Sequence, residues 1–149
     1  MLVLLQQNSI KYMPDFTLPR SERLRSLKAI RRMFGEGRSG FVYPFRYTFL
    51  VESVAEVVID QEEELSDRIE VMFSVPKKFH KRANKRNILK RRTREAYRLS
   101  TQRTALRELA QKVGVRIDLA MIYSTKESHS YKTISNAVQR ILAQVCEHI

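Results

Sequence analysis

KRANKRNILKRRTREAYRLS, residues 81–100, carries nine cationic side chains against one acid, Glu95, and contains neither Gly nor Pro. Its Arg, Lys, Leu and Ala content favours helix, and the run of helix formers predicts one long helix over about Arg82 to Arg107. At about 100° per residue, Ile88, Leu89, Ala96, Leu99 and Leu106 collect on one side, while Arg86, Asn87, Lys90, Arg91, Arg94 and Arg98 gather on the other. One face is made to dock and the other to receive. Arg92 points among the apolar residues, which predicts that it lies where the helix overhangs the sheet edge.

Downstream of Gly114, Val115 to Tyr123 alternates as a strand. A last helix begins near Tyr131, with Ser128 or Ser130 as cap and Ile134, Ala137 or Val138, Ile141 and Val145 at helical spacing. Upstream, Ile69, Val71, Phe73 and Val75 share one side of a strand, and so do Phe45, Tyr47, Phe49 and Val51. Ala55 to Ile59 reads as another strand, and the acidic run Asp60 to Asp67 as a solvated hairpin tip. Leu24, Leu27, Ile30 and either Met33 or Phe34 recur every three or four positions. That spacing predicts a basic helix from an N-cap at Ser21 to Gly35 or Gly37. The fold class is α/β: a single-domain, two-layer sandwich in the order α-β-β-β-α-β-α, with helices against one sheet. Residues 1–16 are expected to be a flexible tail, within which Met13 is an alternative start, and 17–149 the folded domain.

The chain has 149 residues and a net charge of +12. Between Lys77 and Arg107 stand thirteen basic residues and Glu95 alone, so the whole surplus sits in one segment and the remainder is neutral. Arg82, Arg86, Lys90, Arg94 and Arg98 form an unbroken series of like-charged i,i+4 pairs. Each such pair costs a helix a few tenths of a kcal/mol, and a polyanion condensing on the stripe would relieve that repulsion. Arginine suits bidentate capture of phosphate, Asn87 offers a donor and an acceptor, and Tyr97 borders the stripe where it could stack on a base. Phe45, Tyr47 and Phe49 read as core or as a stacking platform, with core the better reading for most of them.

Catalytic constellations are poor. His80, His129 and His148 fall in separate elements without metal-ligand spacing, Cys146 reads as a small core residue, and no Gly-rich phosphate loop opens a helix. The cluster Glu62, Glu63, Glu64 and Asp67 reads as a solvated turn rather than a Mg²⁺ site. One cysteine and no secretory leader favour a reducing interior, and the opening apolar run is far shorter than the roughly 20 residues a bilayer demands. A membrane partner is not expected, since the apolar helix face is needed for the sheet. DNA is not expected either, for want of a recognition-helix pair or zinc spacing.

The run Arg86-Asn87-Ile88-Leu89-Lys90-Arg91-Arg92-Thr93-Arg94-Glu95-Ala96-Tyr97-Arg98 resembles the signature helix of the bacterial ribonuclease P protein-component family. "FSVPKK", "ERLRSLKAIRRMFGEGRSG" and "RIDLAMIYS" extend the likeness over about Thr17 to Leu142. Ile30 stands where the family often has an aromatic, and Pro76, Asn84 and Arg92-Thr93 also depart from its pattern. The resemblance implies a ribosomal-protein-like fold with a left-handed β-α-β crossover, against the usual right-handed rule. It implies a protein without catalytic or metal-binding residues of its own, working in the bacterial cytoplasm. Arg82, Lys85, Arg86, Asn87, Lys90, Arg91, Arg94 and Arg98 would bind a catalytic RNA subunit that holds the Mg²⁺ and frees the 5′ leader of precursor tRNA. Phe34, Tyr47, Lys77 and Lys78 would lie near that leader. Two other classes make different expectations: a structural or regulatory RNA-binding protein associated with ribosomes, and a self-sufficient nuclease using Glu62 to Glu64.

Overall fold

The computed structural model describes residues 17–53 and 68–149; the tail, the strand over residues 55–59 and the acidic hairpin tip expected from the sequence lie outside them. After a 3-10 turn at Arg20–Glu22 come α1 (Leu27–Glu36), β1 (Arg38–Val42), β2 (Phe45–Ser53) and β3 (Ile69–Ser74). Then follow α2 (Ala83–Arg98), α3 (Thr101–Val113), β4 (Val115–Tyr123) and α4 (Tyr131–Glu147). The strands form one sheet in the order β1-β2-β4-β3. Among the described strands only the β3–β4 pair is parallel, because α2 and α3 carry the chain back over the sheet before β4 inserts beside β3.

Phe45, Tyr47 and Phe49 of β2, Val71 of β3, and Leu119 and Met121 of β4 turn one sheet face toward Leu89, Ala96 and Tyr97 of α2, Leu106 of α3, and Ile134, Val138 and Ile141 of α4. This is the main core. The opposite face has a core of its own, in which Leu50, Met72 and Ala120 meet Leu24, Ala29, Ile30 and Met33. Helix α1 therefore lies on the far side of the sheet from the other three, an arrangement that the two-layer expectation did not include. It also explains why Ile117 to Met121 are buried without a break, since β4 is covered from both sides.

Two helix boundaries differ from expectation. The first helix starts at Leu27, where the Ser26 side chain accepts from the Ala29 N–H (3.3 Å). Ser21 sits in the 3-10 turn instead, and Leu24 reaches the core from an extended segment whose N–H bonds Val71 O (2.9 Å). The long basic helix is two helices. At Ser100 the backbone turns extended (φ −73°, ψ 131°) and the hydroxyl caps the Gln102 N–H, so α3 begins anew. Arg103 Nη1 donates to Arg98 O (3.2 Å), giving a partner to one of the carbonyls that the end of α2 leaves over. Of the two serines expected to cap the start of the last helix, Ser130 is the N-cap, its side chain accepting from the Thr133 N–H. Gly114, at φ +78°, closes α3 in the left-handed conformation that favours glycine. Gly40 lies flat against the Tyr47 ring, which would strike any β-carbon there.

Candidate nucleic-acid interface

Helix α2 turns Leu89, Thr93, Ala96 and Tyr97 into the core, and the geometry of the basic stripe follows from that anchoring. Arg82, Lys85, Asn87, Arg91 and Arg94 are exposed; Arg86, Lys90 and Arg98 are half-buried. Among the described residues no carboxylate pairs with Arg82, Lys85, Arg91 or Arg94, and the acid on this helix, Glu95, pairs with Arg98 (2.7 Å). The first turn holds no acid, so the positive end of the helix dipole is crowded by Arg82, Lys85 and Arg86 rather than offset. Repulsion within the helix and an unbalanced dipole raise the same potential on the same face. A polyanion there is stabilised by both.

Individual residues refine the stripe. Arg86 Nη1 donates to His80 O (3.0 Å) and Lys81 O (2.7 Å), so this side chain fastens the approach loop to α2 in addition to facing outward. Arg92, the misfit of the helical projection, donates to His129 O (2.6 Å) in the loop between β4 and α4. Ile88, expected on the docking face, is exposed. Tyr97, expected beside the stripe, is fully buried. Its hydroxyl donates to Glu22 Oε1 (2.6 Å), where Arg103 also binds through Nε–Oε1 (3.0 Å) and Nη2–Oε2 (2.5 Å). Burial, then the charge of Glu22 and the hydrogen bond to it, push the Tyr97 phenol well above its usual range. Arg103 thus belongs to the interior and not to the receiving surface, although it counts in the local charge surplus.

Of the four residues expected near a leader strand, Phe34 is 46% exposed in the last turn of α1, and Lys77 and Lys78 are exposed in the turn after β3. Tyr47 is not with them. It is 4% exposed and faces the α4 side of the sheet, where its hydroxyl donates to Gln144. Strand alternation told which β2 residues share a side, while the side that α1 covers depended on the turn before β1. The α1 side instead carries Arg46, Thr48 and Leu50. Helix α1 covers only part of this face. Phe41, Arg46, Ile122 and Ser74 are aligned across the four strands in one row, with Phe41 and Arg46 exposed and the other two half-exposed, and the chain leaves β3 toward Lys77 and Lys78 from the same end. The sequence signal for Phe41 was its alternation with buried Val42.

The far end of that face is differently built. Ser26, Lys28 and Arg32 of the α1 region, with Glu52, Arg116 and Asp118 of the sheet, line a cavity of about 410 Å³. Arg32 pairs with Glu52 (2.6 Å) and Arg116 with Glu70 (3.0 Å). Asp118 is pushed up to about 6, first by burial, with Glu70 and Glu52 adding to the rise and Arg116 and Arg32 opposing it. No group of three His, Cys, Asp or Glu among the described residues is placed to hold a metal ion, and Glu62 to Asp67 lie outside them. His80 is a buried side chain bonded to Thr125 O (2.8 Å). Among the described residues no helix is long and apolar enough to cross a membrane.

The family described as Ribonuclease P matches residues 18–146. The ribonuclease P protein components of two Porphyromonas gingivalis strains are similar to this chain. The W83 protein is 32% identical over 136 residues, spanning 91% of each chain, and the ATCC 33277 protein 31% identical over 134 residues, spanning 90% of each. The Staphylococcus aureus RNase P protein superposes with a TM-score of 0.56 at 18% identity, over 83% of this chain and 94% of that one. A mutant of that protein with defective mRNA degradation activity gives 0.56 at 16%, over 95% and 96%. At such identities these two bear on the fold alone. With a match over most of its length, relatives above 30% identity and the same fold, the chain belongs to the ribonuclease P protein family, as a subunit of that ribonuclease.

Proposed function

We propose that the chain holds the catalytic RNA of ribonuclease P on the exposed side of α2, through Arg82, Lys85, Arg86, Asn87, Lys90, Arg91, Arg94 and Arg98. The 5′ leader of precursor tRNA would lie over the open part of the sheet face beside α1. Phe34, Lys77 and Lys78 border that face, with Arg46, Ile122 and Ser74 as its floor, and Tyr47 is left out because its ring is in the core. The hydrolysis, and the Mg²⁺ it uses, are assigned to the RNA, with the protein contributing charge neutralisation and placement in the cytoplasm. The observation that carries the reading is the exposed cationic face of α2, whose Arg82, Lys85, Arg91 and Arg94 pair with no described carboxylate.

The test is reconstitution. Purified protein should leave precursor tRNA intact, and protein with its RNA subunit should release the leader at a Mg²⁺ concentration where the RNA alone is slow. Cleavage by the protein alone would overturn the division of labour, and an RNA whose rate is indifferent to the protein would overturn the assignment.

A further inference from the structure

Phe41 and Tyr43 are 57% and 49% exposed at the end of the β1–β2 hairpin, with ring centroids 6.5 Å apart and planes tilted by 58°. Large rings in water are ordinarily mobile, but Tyr43 is held. Its hydroxyl meets His129 Nε2 (2.9 Å), Glu127 Oε2 (3.3 Å) and Thr125 Oγ1 (3.4 Å), and its ring packs edge-on against His129 (5.1 Å). The loop supplying these partners is itself fastened beside the basic helix, by Arg92 to His129 O (2.6 Å) and by His80 to Thr125 O (2.8 Å). A fixed, exposed aromatic surface therefore adjoins the approach to α2, and Phe41 stands opposite the exposed cation Arg46 in the β1–β2 pairing.

We propose that Phe41 and Tyr43 form a stacking platform for an unpaired RNA base, seated next to the phosphate-binding face of α2. The inference rests on the RNA-binding reading above and adds to it a site that reads single strands by ring stacking. Every base offers a π-face, so the platform selects unpaired over paired RNA and not one sequence over another. Charge decides the occupant: Arg46 and the α2 cations suit a phosphodiester chain, and an acidic or apolar protein surface would leave either the rings or the cations unmatched.

The probe is a short single-stranded RNA carrying 2-aminopurine, compared with a duplex RNA of equal length, each titrated with the full chain. Replacing both residues, Phe41→Leu with Tyr43→Leu, should weaken single-strand binding by roughly tenfold, abolish the 2-aminopurine quench, and leave duplex binding and the salt slope unchanged. Tyr43→Phe keeps the ring and should keep the quench. Leucine variants that bind the single strand within about twofold of the original would overturn the proposal, as would a Tyr43→Phe protein that behaves like Tyr43→Leu, or a loss of self-association in place of RNA. Should the double variant fail to fold, 4-thiouridine crosslinking to the unsubstituted protein decides: adducts at Phe41 or Tyr43 support the platform, and adducts confined to α2 sink it. If the unsubstituted protein bound neither RNA, the RNA-binding reading itself would fall; binding to both, indifferent to the leucines, would remove the platform alone.

Discussion

Arg103 and Glu22 stand 81 residues apart in the chain and bond through two contacts inside the core, with the Tyr97 hydroxyl sharing Glu22 Oε1. Both side chains are almost wholly enclosed. A buried pair contributes little net stability against an apolar replacement, but removal of one partner strands a charge. Arg103→Ala should therefore cost about 3–5 kcal/mol in urea unfolding. Glu22→Gln with Arg103→Met together should cost far less than the sum of the single changes. Asp118 makes a prediction of opposite character. Its carboxyl is held at about 6 in the folded chain against an ordinary 3.8, so folding favours its protonated form. That contribution is fully present below the ordinary value and is lost as the pH rises through about 6, leaving a destabilising carboxylate at neutral pH. Asp118→Asn should then be more stable than the parent at neutral pH by about 1 kcal/mol, a gain that fades on acidification, as thermal melts across this window would show.

Ser100 does for an element what those pairs do for residues. Its hydroxyl starts α3, and Ser100→Ala should lower stability by about 1 kcal/mol without changing RNA affinity at fixed salt. Equal losses in both would mean that the bend between α2 and α3 shapes the interface. The break was legible in principle, since Ser-Thr inside a run of helix formers is an N-cap signal, but periodicity outweighed it because Leu99 and Leu106 fit one continuous apolar face. The start of α1 differs from its sequence pattern for a similar reason. Leu24 belongs to the core and lies three positions from Leu27, so its spacing imitated a helical turn that is in fact an extended segment bonded to Val71. Strand alternation fared better, because Phe45, Tyr47 and Phe49 do share a side. Which layer covers that side is a property of the packed sheet, and on it depended the displacement of Tyr47 from the expected leader site.

At the scale of the molecule, electrostatics was the most readable quantity, because a local charge surplus survives any arrangement of the elements that carry it. Arg94→Ala should lower RNA affinity and reduce the log–log salt slope by roughly 0.7–0.9, with an unchanged melting temperature. Arg86→Ala should do the same and also lower the melting temperature, since it unfastens His80 and Lys81 from α2. An identical pair of melting curves would show that the loop holds without Arg86.

The inner strand β4 is the last of the described strands, and both β2 and β3 pair with it. A nascent chain therefore leaves the ribosome with two strands that lack their common neighbour until residue 123 has been made. A product truncated short of that point keeps the cationic segment and the strands of the β1–β2 hairpin, but lacks the strand that joins β3 to them. Synthesis through residue 123 is thus a precondition for bracing α2 against the complete sheet.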